Sequence, residues 1–276
     1  MAGSFSDYTE KKVLDHLLKT TAWSPNPTSL WIALGDTGAD DTGLTNEFTV
    51  ANNYARKEIT VSEFGTVASS RSIANDAIIQ FNTASGAWGT PSNWGIFDAS
   101  TAGNMIAWGT ITGAGAIGDG DTPSFAVGEV QIDFNAGASG VGWSDTVAEA
   151  MLDHIFFGAE HTPATNLYVG FATGADFTDA GAITNEDSGG GGYARVICNA
   201  WDGATGESPA LADNTNAINF TVSGSWDASV VNIFIANHSS NSTNAELLFF
   251  GKVTSFSAVN GDTVQILAGE LDITLA

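Results

Sequence analysis

A single cysteine, Cys198, stands in 276 residues. One thiol closes no internal disulfide and builds no cysteine-rich metal site. Cations are scarce as well: 8 Lys+Arg face 31 Asp+Glu, for a formal net charge of −23. A chain this poor in cations has little with which to neutralise a run of phosphates, so neither nucleic acid nor an anionic membrane surface is expected as a partner. No apolar run reaches the roughly 18 residues needed to span a bilayer. The opening stretch, MAGSFSDYTEKK, has no cationic segment followed by an apolar one. Synthesis in a cytoplasm without secretory export is the expectation. No zinc-protease histidine pattern and no Gly-x-Ser-x-Gly elbow occurs. The glycine-rich GAGAIGDGD from Gly113 lacks the Lys and Ser/Thr of a phosphate loop, and its acids repel phosphate.

What is abundant is small and apolar. Glycine occurs 32 times, hydrophobic residues make up 43% and aromatics 10%. That mix suits many short strands joined by tight turns. The acidity itself supports solubility.

The second half of the chain repeats the first. Leu14-Asp15-His16 returns as Leu152-Asp153-His154, LWIAL from Leu30 as LYVGF from Leu167, and LTNE ending at Glu47 as ITNE ending at Glu186. Tyr54-Ala55-Arg56 returns as Tyr193-Ala194-Arg195, SGAW ending at Trp88 as SGSW ending at Trp226, and AVGEVQIDF as LAGELDITL. The spacing stays close to 138 residues, so the matches describe a tandem duplication with units of about 4–135 and 142–276. The expected domains are 1–138 and 139–276, joined through the small-residue stretch Asn135 to Gly142.

Each unit opens with one amphipathic helix. Ser6 and Ser144 are placed as N-caps, with Asp7 and Glu10 in the first turn of the earlier helix. Val13, Leu14, Leu17 and Leu18 form one apolar stripe; Val147, Met151, Leu152, Ile155 and Phe156 form the other, with Gly158 as a stop. These stripes are expected to pack on the sheet of their own unit. Strand patterns follow with no further helix, which predicts an all-β fold of two tandem β-sandwich domains, each preceded by one short helix.

No catalytic, cofactor-binding or metal-binding residue is assigned. The paired Asp-His dipeptides read as structure, because adjacent helical residues point about 100° apart and cannot form a relay. Asp36, Asp40 and Asp41, and Asp176 and Asp179 in the second unit, read as turn residues and not as a calcium loop. Arg56 and Arg195, each kept in its unit, are expected to pair with a carboxylate of that unit. Trp88 and Trp226 read as core. The unpaired Trp94, Trp108 and Trp201 are the candidates for a sugar platform. His161 and His238 have no evident counterpart in the first unit.

The helix ending in LDH, LYVGFATG, ITNE with GGGGYARV, SGSW, GIFDA and the closing GDT with AGELDITLA together resemble a family of tailed-phage virion proteins described as tail-fibre-like. The resemblance implies a non-enzymatic structural role in a virion, with tail or capsid subunits as partners and synthesis in the host cytoplasm. It supplies no catalytic residues and no cofactor. Neither coiled-coil heptads nor short β-helical repeats occur, so a globular attachment is expected in place of a long shaft. Self-association into a symmetric homo-oligomer is a further expectation. The alternatives are a head decoration protein and a carbohydrate-binding module or glycan hydrolase.

Overall fold

The structure, a computed structural model, describes residues 2–19, 23, 29–60, 63–65, 71–133, 142–156, 159–174, 177, 183, 185–187, 190–205, 209–226, 229–240 and 247–275. The joining stretch 135–141, Gly158, and Asp176 and Asp179 lie outside the described residues.

Two helices occur among these residues, α1 (Asp7–Leu18) and α2 (Asp145–Phe156). Their starts follow from the serines. Ser6 is extended, and its hydroxyl accepts the Thr9 amide at 3.4 Å. Ser144 accepts the Val147 amide at 3.3 Å. Each cap satisfies one orphan N–H of the first turn. Ser6 Oγ also donates to the Met105 carbonyl, and Thr9 Oγ1 donates to Ile106 O at 2.8 Å. The helix start is thereby tied to its own sheet. Neither helix is long and apolar enough to cross a membrane.

The rest is β. In the first half seven strands form one sheet, in the order Lys57–Ile59, Leu30–Gly35, Asn93–Phe97, Met105–Thr110, Ala2–Phe5, Gln131–Asp133, Ser72–Ala74. All pairs are antiparallel except Ala2–Phe5 with Gln131–Asp133. In the second half the order Gly142–Trp143, Leu247–Phe256, Val230–Ala236, Tyr168–Thr173, Val196–Ile197 reproduces the larger part of this sheet. The pair Ala210–Asp213 with Asp272–Leu275 corresponds to Ser72–Ala74 with Gln131–Asp133. A short ladder covers each main sheet: Ile79–Gln80 with Ser124–Phe125, and Ile218–Phe220 with Val264–Ile266. Phe220 meets Phe171 of the main sheet at 4.8 Å between ring centroids, so the two layers are in contact. Each half is a β-sandwich with a leading helix, and its central strands are apolar runs buried almost throughout, Asn93–Phe97 and Val230–Ala236 among them.

The helices depart from expectation. α1 touches Met105–Thr110 of its own half, but it also packs on Ala210–Asp213 and Asp272–Leu275 of the other half. α2 reciprocates against Ser72–Ala74. Both helices bury more than one narrow stripe: His16 and His154 are as deeply buried as the leucines beside them. A helix that is apolar on one side packs on one layer; these two are covered on both flanks because each lies in the seam between the halves. One hydrophobic core accordingly runs through both halves.

Candidate functional site

The residues duplicated most faithfully build a polar knot in each half. The Glu47 carboxylate receives Arg56 Nε at 2.8 Å and Nη2 at 2.7 Å, while Arg56 Nη1 donates to the carbonyls of Ala99 and Ala102. Tyr54 Oη accepts the Leu34 amide at 3.0 Å and lies 3.3 Å from both Leu34 O and Glu47 Oε1. In the other half Glu186 receives Arg195 Nε and Nη2, both at 2.7 Å, and Arg195 Nη1 donates to His238 O. Tyr193 accepts the Phe171 amide at 2.8 Å and lies 3.2 Å from Glu186 Oε1. Burial raises both phenols well above their ordinary value. A two-pronged guanidinium–carboxylate pair that also satisfies backbone carbonyls has its donors spent on structure. The expectation of a structural pair within each unit holds, and the partner acids are the Glu of LTNE and ITNE.

The Leu-Asp-His repeat builds the seam. His16 and His154 stack with ring centroids 4.9 Å apart and planes inclined by 29°. Trp23 donates its amide to His16 Nδ1 at 3.0 Å; His161 donates its own to His154 Nδ1 at 3.2 Å. His161 therefore does have a counterpart in the first unit, and it is Trp23. With Nδ1 accepting, His16 is a neutral imidazole whose Nε2 carries the hydrogen, directed at His161 Nδ1 3.0 Å away. Desolvation, then the His154 and His161 rings, pushes the His16 pKa down to about 4. Burial lowers those of His154 and His161 too. Asp15 faces Lys11 at 2.7 Å and accepts the Ala204 amide of the other half at 3.0 Å, so neither residue of the pair serves a relay. Arg71 reaches across the seam to Asp145 and to Trp143 O. Glu10, buried beneath the same seam and bonded by the Ala210 amide, is pushed up to about 7 by desolvation.

The remaining candidates separate by burial. Trp94 is 0% exposed and Trp201 is 6% exposed, with its indole N–H given to Cys198 O at 2.8 Å. Neither can stack on a sugar, which corrects the reading of these two as platform residues. Trp108 is half-buried and donates to Asp41 Oδ1 at 2.9 Å. Trp88 and Trp226 lie edge-on to Tyr54 and Tyr193 at 5.1 and 5.2 Å, extending the two knots. Asp40 caps its own turn through the Thr42 amide, and Asp36 meets Thr37 Oγ1. Among the described residues no three His, Cys, Asp or Glu side chains converge as metal ligands. His238 Nδ1 accepts the Ser240 amide. The Cys198 thiol is buried and pushed up to about 12, far from a reactive thiolate.

Two features escaped the reading of the chain alone. The buried amides of Asn75 and Asn214 occupy equivalent positions: each donates to two carbonyls and accepts one or two amides from the turn just before the last strand of its half. The aligned stretches SIAND and LADN carried that signal. Arg71 carried none, since Pro209 precedes the equivalent strand in the second half.

No curated protein matches the chain. Residues 4–133 and 142–274 each match the sequence model of one family, described as podophage GP4 fiber I protein gp80. The two matched segments are the two halves built above, and the chain belongs to that family of phage fibre proteins, carrying its unit twice.

Proposed function

We propose that this protein is a non-enzymatic, globular building block of a tailed-phage virion, attached to the tail and assembled with other virion proteins. The reading divides the chain into units 1–138 and 139–276 that share a seam, and it calls for no cofactor, nucleic acid or membrane. One observation carries it: the polar residues repeated in both units are consumed internally. Glu47, Tyr54 and Arg56, their copies Glu186, Tyr193 and Arg195, and the seam histidines bond to backbone or to each other. Duplication has kept what holds the units together, which is the pattern of a structural part and not of a reactive cleft. Family membership supports the same direction. Symmetric self-association belongs to this reading, since closed symmetry is the usual way such parts are assembled.

Electron microscopy of virions carrying a gold-labelled tag on this chain tests the location. Label on the tail is expected. Label confined to the head would replace the reading with capsid decoration, and unlabelled virions would remove it. Light scattering after size-exclusion chromatography is expected to give a defined oligomer.

A further inference from the structure

The two halves place different residues at one point of the sandwich interior. In the first half Leu34, Trp94 and Gly109 lie side by side across three strands. In the second half the same row reads Phe171, Ile233 and Gly251. The Trp94 indole lies so tightly over Gly109 that a Cβ there would meet it at 2.4 Å. At Gly251 a Cβ would meet only Ile233 Cγ2, at 3.6 Å. The space an indole fills in one half is open in the other. A groove of about 1190 Å³ runs there between the main sheet and the closing strands, lined by Ile233, Gly251, Phe249, Phe256, Leu271 and Ile273. Lys252, Asp262, Glu270 and Asp272 stand along it, three carboxylates to one ammonium.

We propose that this groove is a docking site for a polypeptide segment of another virion protein, in which an aromatic side chain flanked by Lys or Arg takes the place Trp94 holds in the first half. The occupant's chemistry follows from the molecule. The first half shows an indole as the group that fits this layer spacing over a glycine, and an aromatic anchor in a desolvated pocket is the usual source of affinity. The acidic rim selects cationic neighbours. A second copy of this chain is a poor match: its net charge of −23 repels an acidic rim, and among the described residues its exposed large apolar side chains are aliphatic. The proposal deepens the virion reading, on which it rests only for the source of the segment.

Purified full-length protein, titrated with the neutral fluorophore N-phenyl-1-naphthylamine, tests the groove independently of any virion. The probe is expected to bind the wild type, and acetyl-Lys-Val-Trp-Val-Lys-amide is expected to displace it. Ile233→Trp fills the groove as the first half does, and Gly251→Leu fills it from a position whose backbone accepts a side chain. Each is expected to weaken both ligands by about thirtyfold, the loss of one buried anchor. The peptide with Glu in place of Lys is expected to bind severalfold more weakly at low salt, a gap that closes at high salt. Folded filling variants that bind as well as the wild type would overturn the site. Equal displacement by the Lys and Glu peptides would overturn the acidic selection. A probe that binds but resists both peptides would make this a site for a small apolar molecule and overturn the polypeptide. If neither variant folds, the peptide comparison on the wild type still decides. Loss of these effects with the tag still on the tail would fault the groove alone; the reverse would fault the virion reading alone.

Discussion

The halves agree at the arginine–glutamate knot and differ in the apolar packing around it. Both bury an arginine against a glutamate with the same donors and nearly the same distances. The aromatic ring over that arginine, however, comes from different strand positions. Phe97 lies 3.6 Å from Arg56 in the first half, and Phe234 lies 5.0 Å from Arg195 in the second. Their neighbours compensate: Gly95 leaves room for Phe97, and Gly170 leaves room for Phe234, whose ring a Cβ would meet at 2.3 Å. An unpaired buried charge costs several kcal/mol, so the knot tolerates no drift. A cavity or a displaced ring costs less and can be repacked, so apolar positions diverged.

The largest effect should come from breaking the knot. Arg195→Ala strands Glu186 in a site where the arginine side chain is 1% exposed, and the expected loss is about 4 kcal/mol in urea unfolding. Arg56→Ala should cost less, because Glu47 at 24% exposure regains some water. Equal losses would mean that the two knots are energetically alike despite their different cover.

Glycine exchange sharpens the volume side of the comparison. Gly109→Ala drives a methyl into the Trp94 indole, and a loss of about 3 kcal/mol is expected. Gly251→Ala, at the equivalent place, should change the thermal midpoint by little, with under about 0.5 kcal/mol at stake.

The seam should respond to pH in two opposing senses. His16 is held neutral by a folded-state pKa of about 4, below its ordinary 6.5. The unfolded chain therefore takes up the proton first, and this stability is lost as pH falls from 6.5 through 4. His16→Ala should cost about 2 kcal/mol at pH 8 and less at pH 5, where the wild type has already lost part of what the ring contributes. Glu10 works the other way. Its pKa is raised from 4.5 to about 7, so the folded state binds the extra proton and loses stability as pH rises through that window. Glu10→Gln, which keeps an acceptor for the Ala210 amide, should stabilise by about 1 kcal/mol at pH 8 and by nothing at pH 4. Unfolding midpoints at the two pH values check both, and a Glu10→Gln gain that persists at pH 4 would show that burial of the ionised carboxylate is not its origin.

Much of this was legible in the chain. The serine caps, the short apolar strands and the pairing of Arg56 and Arg195 with a carboxylate of their own unit rest on local rules or on matching residues in two copies, and both kinds of signal survive without coordinates. The sugar-platform alternative for Trp94 and Trp201 fell for a physical reason. A strand's alternation says that a side chain points to one face, and it does not say which face is covered. The helices were legible in part: α1 does pack on its own sheet, and the opposite half covers its other flank. Their stripes announce burial, and no stripe names the surface that provides it.

The order of residues alone therefore determined the duplication, the all-β class, the helix starts and the paired charges, since each depends on short-range geometry or on repetition. Only the tertiary structure decided that the histidines of the two Leu-Asp-His stretches stack across a seam, that the opposite half also covers each helix, and that one sandwich is filled by an indole where the other is open. Those outcomes depend on which surfaces meet and how much volume lies between them, and neither quantity is carried by any one segment of the chain.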